Sequence, residues 1–272
     1  MSNYIKIEIE TSSKEQLEIL IAELSEINFE AFEENENSLS AFIREECFNE
    51  EQLNKILSPK NIFFTKAIIE DTNWNSKWES EFEPVVVDNF VSVRANFHKP
   101  IENVKHEIII TPKMSFGTGH HATTYLMLQQ MQNINFCGKI VLDFGTGTGI
   151  LAIMAKKLGA QKIVAIDNDE WSINNAKENL AANDCSDIFL IQKNNLSGLE
   201  KFDIVLVNIN LNVIISSIDQ LKDNTHNSSQ LLVSGFLFKD KKVLTESFSD
   251  AGFKLIALSK KNEWLSMLLT KL

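Results

Sequence analysis

Asp143, Gly145, Thr146, Gly147, Gly149 and Asp167 have the types and spacing needed to hold a nucleoside. The run Ile140-Val141-Leu142-Asp143-Phe144-Gly145-Thr146-Gly147-Thr148-Gly149-Ile150-Leu151 reads as a buried strand, a glycine-rich turn and a first helical turn. Asp167 closes a second apolar run, Lys162 to Ile166, which reads as the next strand. Glycines let the backbone come close to a ligand, and a carboxylate at Asp167 can accept hydrogen bonds from both ribose hydroxyls. In a dinucleotide site such a loop receives a pyrophosphate. Asp143 would set a negative charge beside it, which suits a cationic amine better. S-adenosylmethionine carries an amine and a sulfonium and no phosphate, so it is favoured over NAD. Asp143 could instead cap the glycine turn locally.

Two further segments carry polar groups toward the same place. Thr111-Pro112-Lys113-Met114-Ser115-Phe116-Gly117-Thr118-Gly119-His120-His121-Ala122-Thr123-Thr124 precedes a helix starting near Thr123, and Thr118 supplies a hydroxyl between two glycines. His120 and His121 are adjacent and lack a third ligand, so they read as caps or loop hydrogen-bonding groups, and no metal is expected. The apolar strand Asp203 to Val207 delivers Asn208 to the carboxyl edge of the sheet, where open α/β folds bind ligands. Its amide can orient an amine without adding charge.

The elements that must position these residues alternate from about Gly138 onward. Strands are expected at Lys139 to Asp143, Lys162 to Asp167, Ile188 to Gln192, Asp203 to Val207 and Gln230 to Ser234. Helices fall near Ile150 to Leu158, Glu170 to Ala182 and Asn212 to Leu221. Nearly continuous apolar strands separated by helices predict a parallel sheet covered on both faces. Phe253 to Ser259 and Trp264 to Thr270 are too close for a crossover helix, so a terminal antiparallel hairpin is expected. Val85 to Phe97 and His106 to Thr111 read as strands leading into this domain, which spans 85–272.

Residues 1–70 read as a small α+β domain. Its order of strand, helix, two strands, helix and strand is ferredoxin-like. Residues 71–84 form the expected linker, with Trp74 and Trp78 on one face of a short helix, where they pack against a domain or contact a partner.

The chain has 272 residues, 44% of them hydrophobic, 23% charged, and a formal net charge of -11. That charge disfavours broad binding to a nucleic-acid backbone, so no DNA binding is expected. It is compatible with a basic protein partner. No run approaches the roughly 20 apolar residues of a membrane span, and the N-terminus lacks the basic-then-apolar pattern of an export signal. Cys47, Cys137 and Cys185 lack metal spacing and fit a reducing cytoplasm.

Pro112 to Thr124, Leu142 to Ile153 and Val207-Asn208-Ile209 together resemble the three signature segments of the bacterial ribosomal protein L-11 methyltransferase family, PrmA. Trp74-Asn75-Ser76-Lys77-Trp78, with Phe82 and Pro84, is similar to that family's linker, and the resemblance runs nearly end to end. The glycine loop is generic to class I methyltransferases, whereas Phe116-Gly117-Thr118-Gly119-His120 is distinctive. The resemblance implies a class I methyltransferase Rossmann-like sheet behind a recognition domain. It implies methyl transfer from S-adenosylmethionine to lysine side-chain or N-terminal amines of large-subunit ribosomal protein L-11, free or on the ribosome. It places Thr118 and Asn208 at the methionine part of the cofactor or the incoming amine, both as catalytic and as cofactor-contacting residues. Gly145, Gly147 and Gly149 would form the cofactor loop with Asp143 and Thr146, and Asp167 would take the ribose. Ser115 stands where the family often has Ala and Thr146 where Cys is common; both replacements are small. A cytoplasmic monomer is expected. The rival readings are a dinucleotide-dependent oxidoreductase, a methyltransferase acting on RNA or a small amine, and a noncatalytic binding protein.

Overall fold

Period-two alternation in the first residues becomes a sheet with one apolar face. The computed structural model describes residues 4–10, 14–34, 38–69, 83–111 and 119–272, and divides into two units, Met1–Glu81 and Phe82–Leu272. In the first, β1 (Tyr4–Glu10), α1 (Lys14–Ser25), β2 (Ala31–Glu34), β3 (Ser38–Arg44), α2 (Glu50–Leu57) and β4 (Phe64–Ile69) follow in order. The strands align as β2-β3-β1-β4, with every neighbouring pair antiparallel. Ile5, Ile7 and Ile9 of β1 and Leu39, Ala41 and Ile43 of β3 point to one face. Leu17, Leu20 and Leu24 of α1 and Leu53 and Leu57 of α2 cover that face and are buried with them. Asn49 starts α2 by accepting the amide protons of Glu51 and Gln52 at 3.0 and 3.1 Å. The expected short helix with Trp74 and Trp78 lies outside the described residues.

The second unit contains β5 (Val85–Val87), β6 (Val91–Ala95), β7 (His106–Ile110), α3 (Ala122–Met131), β8 (Ile140–Phe144), α4 (Ile150–Lys157), β9 (Lys162–Asp167) and α5 (Glu170–Ala182). It continues with β10 (Phe189–Gln192), β11 (Phe202–Asn208), α6 (Leu211–Asp223), β12 (Thr225–Leu237), α7 (Lys241–Asp250), β13 (Phe253–Lys261) and β14 (Trp264–Lys271). Seven strands form one sheet, β10-β9-β8-β11-β12-β14-β13, parallel except where β14 runs against both neighbours. Alternate residues serve opposite cores, as a doubly covered sheet requires. Ile204 and Leu206 pack with α3 and α4, whereas Val205 and Val207 pack with α6 and α7. A separate three-stranded sheet, β5-β6-β7, adds Val87, Val93 and Ile108 to the first of these cores.

Three features depart from the sequence reading. Val85 to Phe97 is two strands, because Asp88 turns left-handed at φ 51° and Phe90 N–H closes on Val87 O at 3.1 Å. Helix α7 lacks an extended apolar stripe: only Leu244 and Phe248, one turn apart, are buried. Strand β12 extends well beyond Gln230 to Ser234 in both directions, with a register shift at Gly235. The strand order reverses between β8 and β11, which leaves a crevice at their carboxyl ends.

Candidate active site

The glycine loop leaves β8 at that crevice and is tied down by its own backbone. Gly145 and Thr146 N–H both donate to Ile166 O at 2.9 Å, joining the loop to the end of β9. Gly147 N–H donates to Asp167 Oδ2 at 2.9 Å, and Asp169 N–H donates to Asp167 Oδ1 at 3.1 Å. Each carboxylate oxygen thus retains a lone pair for a further donor. Gly145 sits at φ 76°, and a Cβ there would stand 2.2 Å from Ile209 Cγ2, so this position has no room for a side chain.

Asn208 ends β11 beside this loop. Its Nδ2 donates to Thr124 Oγ1 at 3.3 Å, which fixes the amide against α3. Its Oδ1 is buried and has no hydrogen-bond partner among the described residues. A cavity of about 790 Å³ opens here, lined by Gly145, Gly147, Asp167 and Asn208 among others. That size suits a small-molecule ligand. Thr118 lies outside the described residues.

Asp143, Thr146 and Gly149 stand behind the loop instead of lining the cavity. Asp143 Oδ2 accepts from Thr146 Oγ1 at 2.6 Å and from Ala152 N–H at 3.2 Å, joining the turn to α4. Its Oδ1 is buried without a partner among the described residues. Burial pushes the Asp143 carboxyl up to about 7, against the opposing pull of the Thr146 and Ala152 hydrogen bonds. A carboxyl raised in the folded state destabilises the fold as pH climbs from its unfolded value to its folded one. Relative to wild type, Asp143→Asn is therefore expected to gain stability between pH 4 and pH 7, with a slope of at most ~1.4 kcal/mol per pH unit and a plateau above. Urea melts of both proteins across that range check it; a difference independent of pH would show that Asp143 does not titrate there.

Sequence reasoning missed several groups that line the cavity. Trp264 begins β14 opposite Leu237, and because β14 is antiparallel, its first residue lies at the carboxyl edge of the parallel strands. His121 meets it edge-to-face with ring centroids 4.6 Å apart, while its Nδ1 accepts Thr123 N–H at 3.3 Å and caps α3. Burial lowers the His121 pKa, which favours the neutral ring. His120 Nε2 contacts Glu83 O at 2.9 Å. Gly235 lines the cavity at φ 102°, and a Cβ there would lie 1.8 Å from Ile209 O. Ser172, Lys193 and Asn194 complete the Asp167 end. The hairpin geometry offered a signal for Trp264; nothing local in the sequence marked Gly235.

A seven-stranded sheet with one reversed strand, a glycine loop over its switch point and a carboxylate after the second strand make this a class I, S-adenosylmethionine-dependent methyltransferase. The family model described as ribosomal protein L11 methyltransferase (PrmA) matches residues 4–272. The chain belongs to that family. It is 38% identical over 261 residues to the ribosomal protein L11 methyltransferase of Porphyromonas gingivalis, covering 93% of this chain and 90% of that one. The corresponding protein of Phocaeicola vulgatus is 35% identical over 258 residues, 92% of each chain. A crystal structure of the ribosomal protein L11 methylase from Lactobacillus delbrueckii subsp. bulgaricus superposes with a TM-score of 0.66 at 25% identity, over 70% of this chain and 99% of that one.

Proposed function

We propose that this protein transfers methyl groups from S-adenosylmethionine to lysine side-chain or N-terminal amines of ribosomal protein L11. The observation that carries the reading is Asn208 Oδ1, a buried acceptor with no partner among the described residues, in a residue lining the cavity that also holds Asp167 and the glycine loop. The residues fit the cofactor. Asp167 has lone pairs for the ribose hydroxyls, and Gly145 and Gly147 line the same cavity without side chains. When bound, S-adenosylmethionine supplies a methyl group already activated on sulfonium.

The protein's own task is to place a neutral amine in line with that methyl. A lysine of ordinary pKa, about 10.4, is protonated at neutral pH and has no free lone pair. Partial desolvation in the cavity lowers that pKa. Asn208 Oδ1 accepts an amine N–H and turns the lone pair toward the methyl; being uncharged, it does not favour the ammonium. Thr118, by its place in the family's signature, supports the amine or the methionine part of the cofactor. No side chain is required as a strong base, and water takes the proton at the cavity mouth.

Charge distribution supports a protein acceptor recognised by the first unit. Residues 1–81 hold 18 Asp and Glu against 7 Lys and Arg, whereas residues 82–272 hold 19 of each. The whole net charge of -11 therefore belongs to the first unit, which suits a basic protein docking there, with residues 71–84 as linker to the catalytic unit. Among the described residues no helix is long and apolar enough to cross a membrane. We place the reaction in the cytoplasm, carried out by a monomer on L11 free or within the ribosome.

Intact-mass spectrometry of purified L11, incubated with the enzyme and S-adenosylmethionine, tests the assignment. Mass additions in methyl steps are expected, dependent on cofactor and reduced in Asp167→Ala. Raising salt from about 50 to about 300 mM is expected to raise the KM for L11 several-fold at unchanged kcat, because screening shortens the reach of the first unit's charge. Cofactor binding without any mass increase would retain the methyltransferase class and discard L11 as acceptor.

A further inference from the structure

Helix α5 carries an asparagine every fourth residue, at 175 and 179 within it and at 183 just past its end. All three are buried. Asn183 Oδ1 accepts Ile109 N–H at 2.9 Å, and its Nδ2 donates to Ile109 O at 2.6 Å and Asn179 O at 2.8 Å. Asn179 Oδ1 accepts Thr111 N–H at 2.7 Å. The asparagines thus satisfy the edge of β7 that β6 does not pair, one rung for every second strand residue. The match is geometric: four helical residues rise about 6.0 Å and two strand residues about 6.6 Å.

Asn179 makes one bond that Asn183 has no counterpart for. Its Nδ2 donates to Thr148 O, inside the glycine loop, at 2.8 Å. The same Nδ2 donates to Asn175 Oδ1 at 3.2 Å, which fixes the orientation of the Asn179 amide. In doing so Asn175 leaves its own Nδ2 buried and without a partner among the described residues. An unsatisfied buried donor costs stability, so folding alone does not account for a polar residue at that position. The end of the loop packs directly on α5, where a Cβ on Gly149 would reach ordinary contact with Ala176 Cβ at 3.4 Å.

We infer that Asn179 is a positioning residue for cofactor binding. It joins the end of β7, from which the chain enters the Pro112 to Thr118 segment, to the Thr148 carbonyl of the glycine loop, with Asn175 setting its amide. The inference rests on the S-adenosylmethionine reading above and concerns the loop that Gly145 and Gly147 share.

Calorimetric binding of S-adenosylhomocysteine and thermal melts separate this from a structural role. Asn179→Ser is expected to weaken binding about tenfold, with kcat at saturating cofactor within about threefold of wild type. Asn183→Ser makes the same truncation on the same helix and strand; it is expected to lose comparable thermal stability and to bind within about twofold of wild type. Asn175→Leu removes the unpartnered donor together with the orienting oxygen, so it is expected to melt at or above the wild-type temperature yet bind several-fold more weakly. Should Asn179→Ser fail to fold, Asn175→Leu decides. Wild-type affinity in Asn175→Leu, or equal losses of binding in Asn179→Ser and Asn183→Ser, would overturn the inference. No binding to wild type would instead remove the cofactor reading beneath it.

Discussion

Asn208→Ala is expected to lower methyl transfer at saturating substrates by about 100- to 1000-fold, with cofactor affinity changed no more than a few-fold. The magnitude is that of removing one pre-oriented polar group from a reacting centre. Among the described residues Asn208 Oδ1 has no partner, so the group its removal deprives is the incoming amine. Thr124 Oγ1, the group left behind, loses a single donor at 3.3 Å. Asn208→Asp gives the converse test. A carboxylate at the same place stabilises the ammonium and raises the pKa of the bound amine. That variant is expected to be nearly inactive at neutral pH and to recover as pH rises, whereas Asn208→Ala stays low throughout. Pre-steady-state rates with enzyme in excess over L11 read the transfer step directly. Wild-type rates in Asn208→Ala would move the amine-orienting role elsewhere in the cavity.

The contrast between Asn208 and its neighbours shows how far the sequence could be read. Strand β9 and helix α5 have the limits expected from sequence, because Asp167 ends an apolar run and Asp169 caps the next helix by accepting Ser172 N–H at 2.9 Å. Gly145, Gly147, Asp167 and Asn208 share one cavity because local pattern alone places each at the carboxyl end of a parallel strand. The remaining lining has no such local origin. Trp264 arrives from the far end of the chain through the β12–β14 pairing, a register that residue types do not encode. His121 shows its cap in the sequence but not the indole against which its ring packs. At Asp143 the sequence left two readings open, a ligand contact and a local cap of the turn; the side chain turns inward to Thr146 and Ala152 and supports the turn from behind.

Gly235 carries the second large effect, and the reason is steric. Strand β12 shifts register between Ser234 and Phe236, and Gly235 takes φ 102° there. A Cβ would sit 1.8 Å from Ile209 O, 2.7 Å from Ile209 C and 3.1 Å from Ile209 N. All three are backbone atoms of the residue that follows Asn208, so no side-chain rotation relieves the clash. Gly235→Ala must either push Ile209 away, which carries Asn208 Oδ1 out of line, or unpair β12 from β14 at the bulge. Strain and lost pairing of about 2–4 kcal/mol are expected, a fall in Tm on the order of 5–15 °C. Transfer is expected to drop at least about 100-fold even below the melting range. Gly198→Ala is the matched control. Gly198 also has a positive φ, 74°, but an added Cβ there meets nothing within 4 Å. Only the backbone preference is then lost, about 1 kcal/mol, and activity should persist. If Gly235→Ala retained wild-type turnover while Gly198→Ala lost as much stability, Ile209 would have to be free to move without Asn208, and the coupling between the β12 bulge and the transfer step would be abandoned.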